Sequence, residues 1–130
     1  MVGCDALTEP SYAMPTEHPT PRIFSLDEAL TVFPRVTALT DRAVSAAAVV
    51  EAQLVAVKES AERRKELEAE YADVVRGWAQ DVIRLGCEVK GLWLVDFDNG
   101  EGYYCWRYPE ERLEYFHDYA SGFTGRTKIV

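Results

Sequence analysis

Apolar residues recur at alternating steps of three and four between residues 39 and 85, which is the spacing of helices with one apolar face. Over residues 35–85 the only glycine is Gly77, and strong helix formers dominate. The stripe consists of Leu39, Ala43, Ala46, Val50, Leu54, Val57 and Ala61, and then of Leu67, Tyr71, Val74, Trp78, Asp81/Val82 and Leu85. A polar gap at residues 58–66 separates its two parts. The pattern therefore predicts a long hairpin of two antiparallel helices over residues 25–86.

Signals at the ends of this segment support helices. Ser25-Leu26-Asp27-Glu28 is a capping box, in which the Ser25 hydroxyl and the Glu28 carboxylate satisfy each other's backbone amides. Gly86 is typical of the residue that closes a helix in a left-handed conformation. Pro34 is expected either to kink the first helix or to lie in the first turn of the next one.

After Gly86 the pattern changes to short runs of aromatic and β-branched residues. Residues 92–97 and 103–107 are predicted strands, and Asn99-Gly100 between them is a strong signal for a two-residue type I′ turn. A third strand is expected over residues 113–117, after a turn at Pro109, and an irregular tail over residues 119–130. We therefore predict an α+β fold, in which a small three-stranded antiparallel β-meander over residues 91–118 follows the helical hairpin.

Residues 1–21 differ from the remainder, because they contain four of the six prolines and few large apolar groups. Such a segment buries too little surface to offset its ordering entropy. We expect a mobile arm there and a single domain over residues 22–130.

Charge and cysteine usage narrow the possible functions. The chain of 130 residues has a net charge of -8, which argues against a nucleic-acid-binding surface. Cys4, Cys87 and Cys105 lack CxxC spacing and suit a reducing compartment better than a disulfide framework. Neither a secretory signal nor an apolar run of membrane-spanning length is visible. We expect a cytoplasmic protein without membrane or nucleic-acid partners.

Residues 43–57 are apolar around most of the helix circumference. A two-helix hairpin cannot cover such a helix on every side, so self-association is the natural remedy. Ala46, Ala47 and Ala48 permit close approach of two backbones. We predict a homodimer formed through this face.

Polar residues of the meander gather on one face. A two-residue turn at Asn99-Gly100 pairs Asp96 with Tyr103, and alternation then separates two sets of side chains. One face carries Asp96, Tyr103, Cys105 and Arg107, with Leu113, Tyr115 and His117 able to join from the third strand. The other face carries Trp93, Val95, Phe97, Tyr104 and Trp106 and is the expected core side.

Two carboxylates and an imidazole on or near this face suggest a metal site. Asp96, Glu110 and His117 suit zinc, manganese or ferrous iron, and Cys105 could add a thiolate. Their spacing matches no HExxH or paired CxxC signature. A Cys105–His117 nucleophile pair is weaker still, since nothing indicates an oxyanion hole or a third orienting group.

A structural role for the same residues is favoured over catalysis. Asp96 can pair with Arg107 or cap the neighbouring turn, and His117 can hydrogen-bond a backbone carbonyl. Cys105 can be a small buried strand residue, with redox sensing as a further possibility. Whether the protein is an enzyme stays open.

Four segments carry a family resemblance. Residues 22–29 with Pro34 resemble the pattern RxFTxxEA…LP, and residues 85–92 resemble LGxxVKDL, with Gly91 where the pattern has aspartate. Residues 95–97 match VDF. The last segment, from Cys105 to Arg126, resembles CWRxGE…WHE…GFxGR, with Pro109, Phe116 and Asp118 in place of the pattern's glycine, tryptophan and glutamate. Together they resemble the small bacterial proteins grouped as domain of unknown function 2203. The resemblance implies no established activity. It points to Lys90, Asp96, Cys105, Arg107, Glu110, His117 and Arg126 as a group of ligand-binding or structural residues.

Two functions follow as hypotheses. The leading one is a non-enzymatic cytoplasmic interaction or scaffold module that self-associates through its helices. The alternative is a metal- or small-ligand-binding protein that uses the polar cluster of the meander. Zinc is a possible cofactor, and Arg107 or Arg126 would steer an anionic group.

Overall fold

The computed structural model describes residues 22–129, so the predicted mobile arm at residues 1–21 lies outside the described residues. Two helices are followed by an antiparallel sheet, which confirms the α+β class. The helices are α1 (Leu26–Ala56) and α2 (Ala61–Arg84). The strands are β1 (Glu88–Gly91), β2 (Leu94–Asp98), β3 (Gly102–Arg107), β4 (Tyr115–Asp118) and β5 (Thr127–Lys128), with a short 3-10 helix at Phe123–Gly125 before β5.

The predicted capping box starts α1. The Glu28 amide donates to Ser25 Oγ at 3.1 Å, and the Ser25 amide donates to Glu28 Oε1 at 2.8 Å. The helix then continues through Pro34 to Ala56, so the proline does not begin a separate helix. Pro34 lies on the exposed side, where water can satisfy the carbonyl that a proline leaves without a partner.

The two helices fold back on each other through the short connection at residues 57–60, at the start of the predicted polar gap. Ser60 caps α2, because its Oγ accepts from the Arg63 amide at 3.0 Å. Deeper in the hairpin, Trp78 Nε1 donates to Thr40 Oγ1 at 2.8 Å, and both side chains are buried. At the far end Gly86 has a φ of +98°, as predicted for the residue that closes α2.

The sheet has five strands in the order β1-β2-β3-β4-β5, so the prediction of three strands was wrong. β1 was missed because its sequence EVKG contains one large apolar residue, Val89, and gives no alternating signal. β5 is an exposed two-residue strand in the tail that was predicted to be irregular. The strand expected at residues 113–117 is β4, shifted towards the C-terminus, while Leu113 packs in the core instead of on the polar face.

The hairpin register differs from the prediction by two residues. Asp96 lies opposite Cys105, and Asp98 opposite Tyr103, so residues 99–102 separate the last pair. Asn99 makes this longer loop, since its Oδ1 accepts from the amides of Glu101 and Gly102 at 2.9 Å each. A shift of two residues keeps each side chain on the same face. The predicted division between the polar face and the core face therefore survives the change of register.

The core lies between the helices and one face of the sheet. Val95, Phe97 and Trp106 provide the sheet side, as predicted, and pack with Phe24, Val36, Trp78 and Val82. Phe24 meets Phe97 edge-on with ring centroids 5.3 Å apart. The Phe24 amide also donates to the Asp98 carbonyl at 2.7 Å, which ties the start of the domain to the sheet. Within residues 22–129 no helix is long and apolar enough to span a membrane.

Candidate metal centre

Three side chains of types that commonly bind metal ions meet on the sheet face that points away from the core. Asp96 and Cys105 lie opposite each other on β2 and β3, and His117 lies on β4 opposite Tyr103. Their exposed fractions are 1%, 0% and 3%, respectively. One ligand atom from each lies within 4.8 Å of the other two. Strand alternation brings them together, because all three belong to the same face of neighbouring strands.

A backbone carbonyl orients the His117 ring. Nδ1 lies 2.8 Å from the carbonyl oxygen of Asp118, which can only accept, so Nδ1 carries a proton and donates it. Nε2 lies 3.0 Å from Asp96 Oδ2. Metal-ligating histidines commonly donate their second ring N–H to a backbone carbonyl in this way. The ring is thus oriented as it would be if Nε2 were a metal ligand.

The Asp96 carboxylate is buried with only one oxygen satisfied. Oδ2 accepts from Lys90 Nζ at 3.2 Å and faces the His117 ring. Oδ1 is fully buried and has no hydrogen-bond partner among residues 22–129. An unsatisfied buried polar atom lowers the stability of a fold by roughly 1–3 kcal/mol, so its presence in a native structure requires an explanation.

Lys90 supplies the positive charge beside this carboxylate. Its Nζ lies 3.6 Å from the centre of the Tyr103 ring and 3.6 Å from Glu88 Oε1. Burial disfavours the ammonium, but the hydrogen bond and the charge of Asp96 outweigh it and raise the pKa of Lys90. The Lys90 side chain is 36% exposed, so it can also turn towards water.

The Cys105 thiol is neutral in this environment. Burial, followed by the neighbouring Asp96 carboxylate, raises the pKa of Cys105 to about 12. A thiol of this kind is a poor nucleophile, which argues against redox sensing by the metal-free protein. A bound metal ion would displace the thiol proton, as it does wherever cysteine becomes a ligand.

A cleft of about 280 Å³ opens onto these three side chains. Its walls are lined by Lys90, Leu94, Asp96, Cys105, His117, Tyr119, Gly122 and Phe123. The Tyr119 hydroxyl is already engaged, since it donates to Asp98 Oδ1 at 2.7 Å. Because Asp96, Cys105 and His117 all line the cleft, a ligand that entered it would reach all three side chains.

Comparison with known proteins gives one match. The family model described as "Uncharacterized conserved protein (DUF2203)" matches residues 22–129. The chain belongs to the DUF2203 family. Comparison with curated proteins and with solved structures found no similar chain.

The carboxylate of Glu110 pairs with Arg126 in this DUF2203 protein and does not join the cluster of Asp96, Cys105 and His117. Its two oxygens accept from Arg126 at 2.8 and 3.0 Å, and Oε1 also accepts from the Arg107 amide at 2.9 Å. Arg126 in turn lies over the rings of Tyr115 and Phe123, 4.1 Å from each centre. Of the predicted metal ligands Asp96, Glu110 and His117, the structure thus brings together the first and the last, with Cys105 beside them.

The predicted partner of Asp96 also changes. A pair between Asp96 and Arg107 was one of the two structural roles expected for Asp96, but the register places Leu94 opposite Arg107. The exposed Arg107 guanidinium lies 5.4 Å from the centre of the Phe123 ring. Lys90 takes its place because β1, the strand missed in the sequence, adds next to β2. The family resemblance had included Lys90 in the group, although no pattern in the residues themselves indicated its role.

Proposed function

We propose that this DUF2203 protein binds a transition-metal ion, with zinc as the first candidate, through Asp96, Cys105 and His117. The observation that carries the proposal is the buried group of three donor atoms together with the unsatisfied Oδ1 of Asp96. An oxygen, a sulfur and a nitrogen ligand form a donor set that suits zinc.

The proposal accounts for features that a purely structural role leaves unexplained. A carboxylate kept only for stability should have both oxygens hydrogen-bonded, because burial without partners is costly. Lys90 satisfies only Oδ2 and is partly exposed. A divalent ion would neutralise the Asp96 carboxylate, including Oδ1, with which Lys90 forms no hydrogen bond.

Three protein ligands indicate a site with an open position. Structural zinc sites usually have four protein ligands, whereas three ligands leave room for water or another molecule, as in catalytic zinc sites. The cleft over Asp96, Cys105 and His117 gives access to that position. The arrangement is therefore compatible with Lewis-acid chemistry as well as with binding alone.

Elemental mass spectrometry of the untagged, full-length protein tests the proposal. We expect near-stoichiometric metal in the wild type and its loss in His117→Ala and Cys105→Ser. Cys87→Ser is a matched control, because Cys87 is also a buried free cysteine whose pKa is raised to about 12 by burial, yet it lies outside the cluster. Metal retained in both cluster variants, or a folded wild type that binds neither zinc nor cobalt, would contradict the proposal.

A second candidate function is self-association through α1, as a scaffold. Val49 and Val55 are 59% and 79% exposed, and the alanines between and beside them, such as Ala48 and Ala52, are exposed as well. Two copies that packed these faces together would bury apolar surface that one copy leaves in water.

Light scattering after size-exclusion chromatography, at micromolar concentration, tests this second candidate. We expect a dimer for the wild type and a monomer for Val55→Asp. Leu92→Asp, at an exposed apolar residue outside the helices, is the control and should stay dimeric. A wild type that is monomeric at these concentrations would refute dimer formation without affecting the metal proposal.

A further inference from the structure

We infer that the open position of the metal takes a small carboxylate, whose charge is held by the Lys90 ammonium and whose apolar end lies against Leu94 and Phe123. The inference rests on the proposed metal site and adds the class of its ligand. It comes from three properties of the cleft: its charge, its walls and its size.

The charge of the cleft favours a monoanion. A divalent ion bound by one carboxylate, one thiolate and one neutral imidazole forms a neutral unit. Lys90 then adds one positive charge, and no other lysine or arginine is among the residues described as lining the cleft. Glu88, outside that lining, contacts Lys90 only at 3.6 Å with a side chain that is 33% exposed. An incoming carboxylate can replace this weak partner.

Metal binding would also free the Lys90 ammonium. In the described structure Lys90 Nζ donates to Asp96 Oδ2, the oxygen that faces His117. A metal ion at Asp96 would take over the neutralisation of that carboxylate, so the ammonium would lose the charge that now balances it. An incoming anion would supply that balance, so Lys90 and the metal together would form the recognition element.

The walls and the volume limit the remainder of the ligand. Leu94 and Phe123 offer apolar contacts, and Gly122 leaves space because it has no side chain. About 280 Å³, part of which the metal occupies, lies near the lower end of small-molecule sites. A monocarboxylate with a short aliphatic chain fits these limits.

Cobalt(II)-loaded protein provides the test, because its visible spectrum reports on the ligands of the metal. We titrate it with acetate and with butyrate. Both should change the cobalt bands saturably, and butyrate should bind roughly tenfold more tightly because two further methylene groups are buried. Lys90→Met should weaken both ligands by roughly tenfold through loss of a charged hydrogen bond, whereas Lys90→Arg should retain most of the affinity.

The control is Lys128→Met, which removes an exposed lysine that pairs with Glu114 and does not line the cleft. Cobalt bands that appear but do not respond to either carboxylate overturn this inference and leave the metal site intact. Equal affinities in Lys90→Met and the wild type overturn it as well, since the anion then binds the metal alone. If cobalt produces no bands in folded protein, the proposed function and this inference both fail.

Discussion

Replacing Asp96 with asparagine separates a metal-binding role from a structural one. In metal-free protein the wild-type carboxylate is buried with Oδ1 unsatisfied, and its ion pair is with a lysine that is 36% exposed. Asparagine has nearly the same shape and no charge, and its amide can donate to His117 Nε2. We therefore expect Asp96→Asn to abolish metal binding and yet to leave the metal-free fold intact.

The magnitude follows from two opposing contributions. Removal of the charge lowers the desolvation cost of the buried group by roughly 1–3 kcal/mol, although the amide oxygen left at the Oδ1 position still has no partner. Loss of the pair with the partly exposed Lys90 costs about 0–1 kcal/mol. The free energy of unfolding should thus be unchanged or higher by about 1–2 kcal/mol. Functional residues often stand at positions where another residue would be more stable.

Urea unfolding in the presence of a chelator, followed by tryptophan fluorescence and circular dichroism, measures this difference. Lys90→Met is the informative companion variant, because it leaves the buried Asp96 Oδ2 without the hydrogen bond from Lys90 and should destabilise the protein by about 1–3 kcal/mol. A loss of more than about 2 kcal/mol in chelated Asp96→Asn would refute the reasoning. It would mean that the charge of Asp96 is needed to hold the sheet together.

Three further predictions concern other groups. Thr40→Val should lower the free energy of unfolding by about 1–3 kcal/mol, since it leaves the buried Trp78 Nε1–H without an acceptor; no change on urea unfolding would contradict this. Cys87 and Cys105, whose pKa values are both raised to about 12, should resist iodoacetamide at neutral pH in metal-free native protein; rapid alkylation followed by mass spectrometry would show otherwise. The pKa of Glu28 is lowered, first of all by the hydrogen bond that its carboxylate accepts from the Ser25 backbone amide. The stabilisation that ionised Glu28 gives to the fold is therefore complete above its unfolded pKa of 4.5 and is lost as the pH falls through its folded pKa. Glu28→Gln should flatten this acid limb in urea unfolding curves measured from pH 6 to pH 3, and an unaltered slope would refute the assignment.

Local sequence patterns predicted the structure correctly where contacts within a short segment determine its conformation. Ser25 and Glu28 satisfy each other within one turn, and Gly86 closes α2 because the left-handed conformation suits glycine. The division of β2 and β3 into a core face and a polar face also followed from alternation alone. It survived a two-residue error in register, because strand side chains repeat with a period of two.

The incorrect predictions concern segments whose conformation is determined by a neighbouring strand or loop. β1 and β5 are short and carry no alternating signal, so they become strands only because β2 and β4 offer them hydrogen-bonding edges. The length of the Asn99 loop depended on side-chain hydrogen bonds to Glu101 and Gly102 that compete with the two-residue turn.

The amino-acid sequence by itself determined the helical hairpin, the α+β class, the family and the set of residues from which a site could be built. Tertiary structure alone decided which of those residues meet. It paired Glu110 with Arg126, brought Lys90 to Asp96 and placed Cys105 beside Asp96 and His117. The physical reason is that helices and turns depend on contacts a few residues apart, whereas the site depends on strand register and on which strands are neighbours. Those are set by the packing of the whole domain.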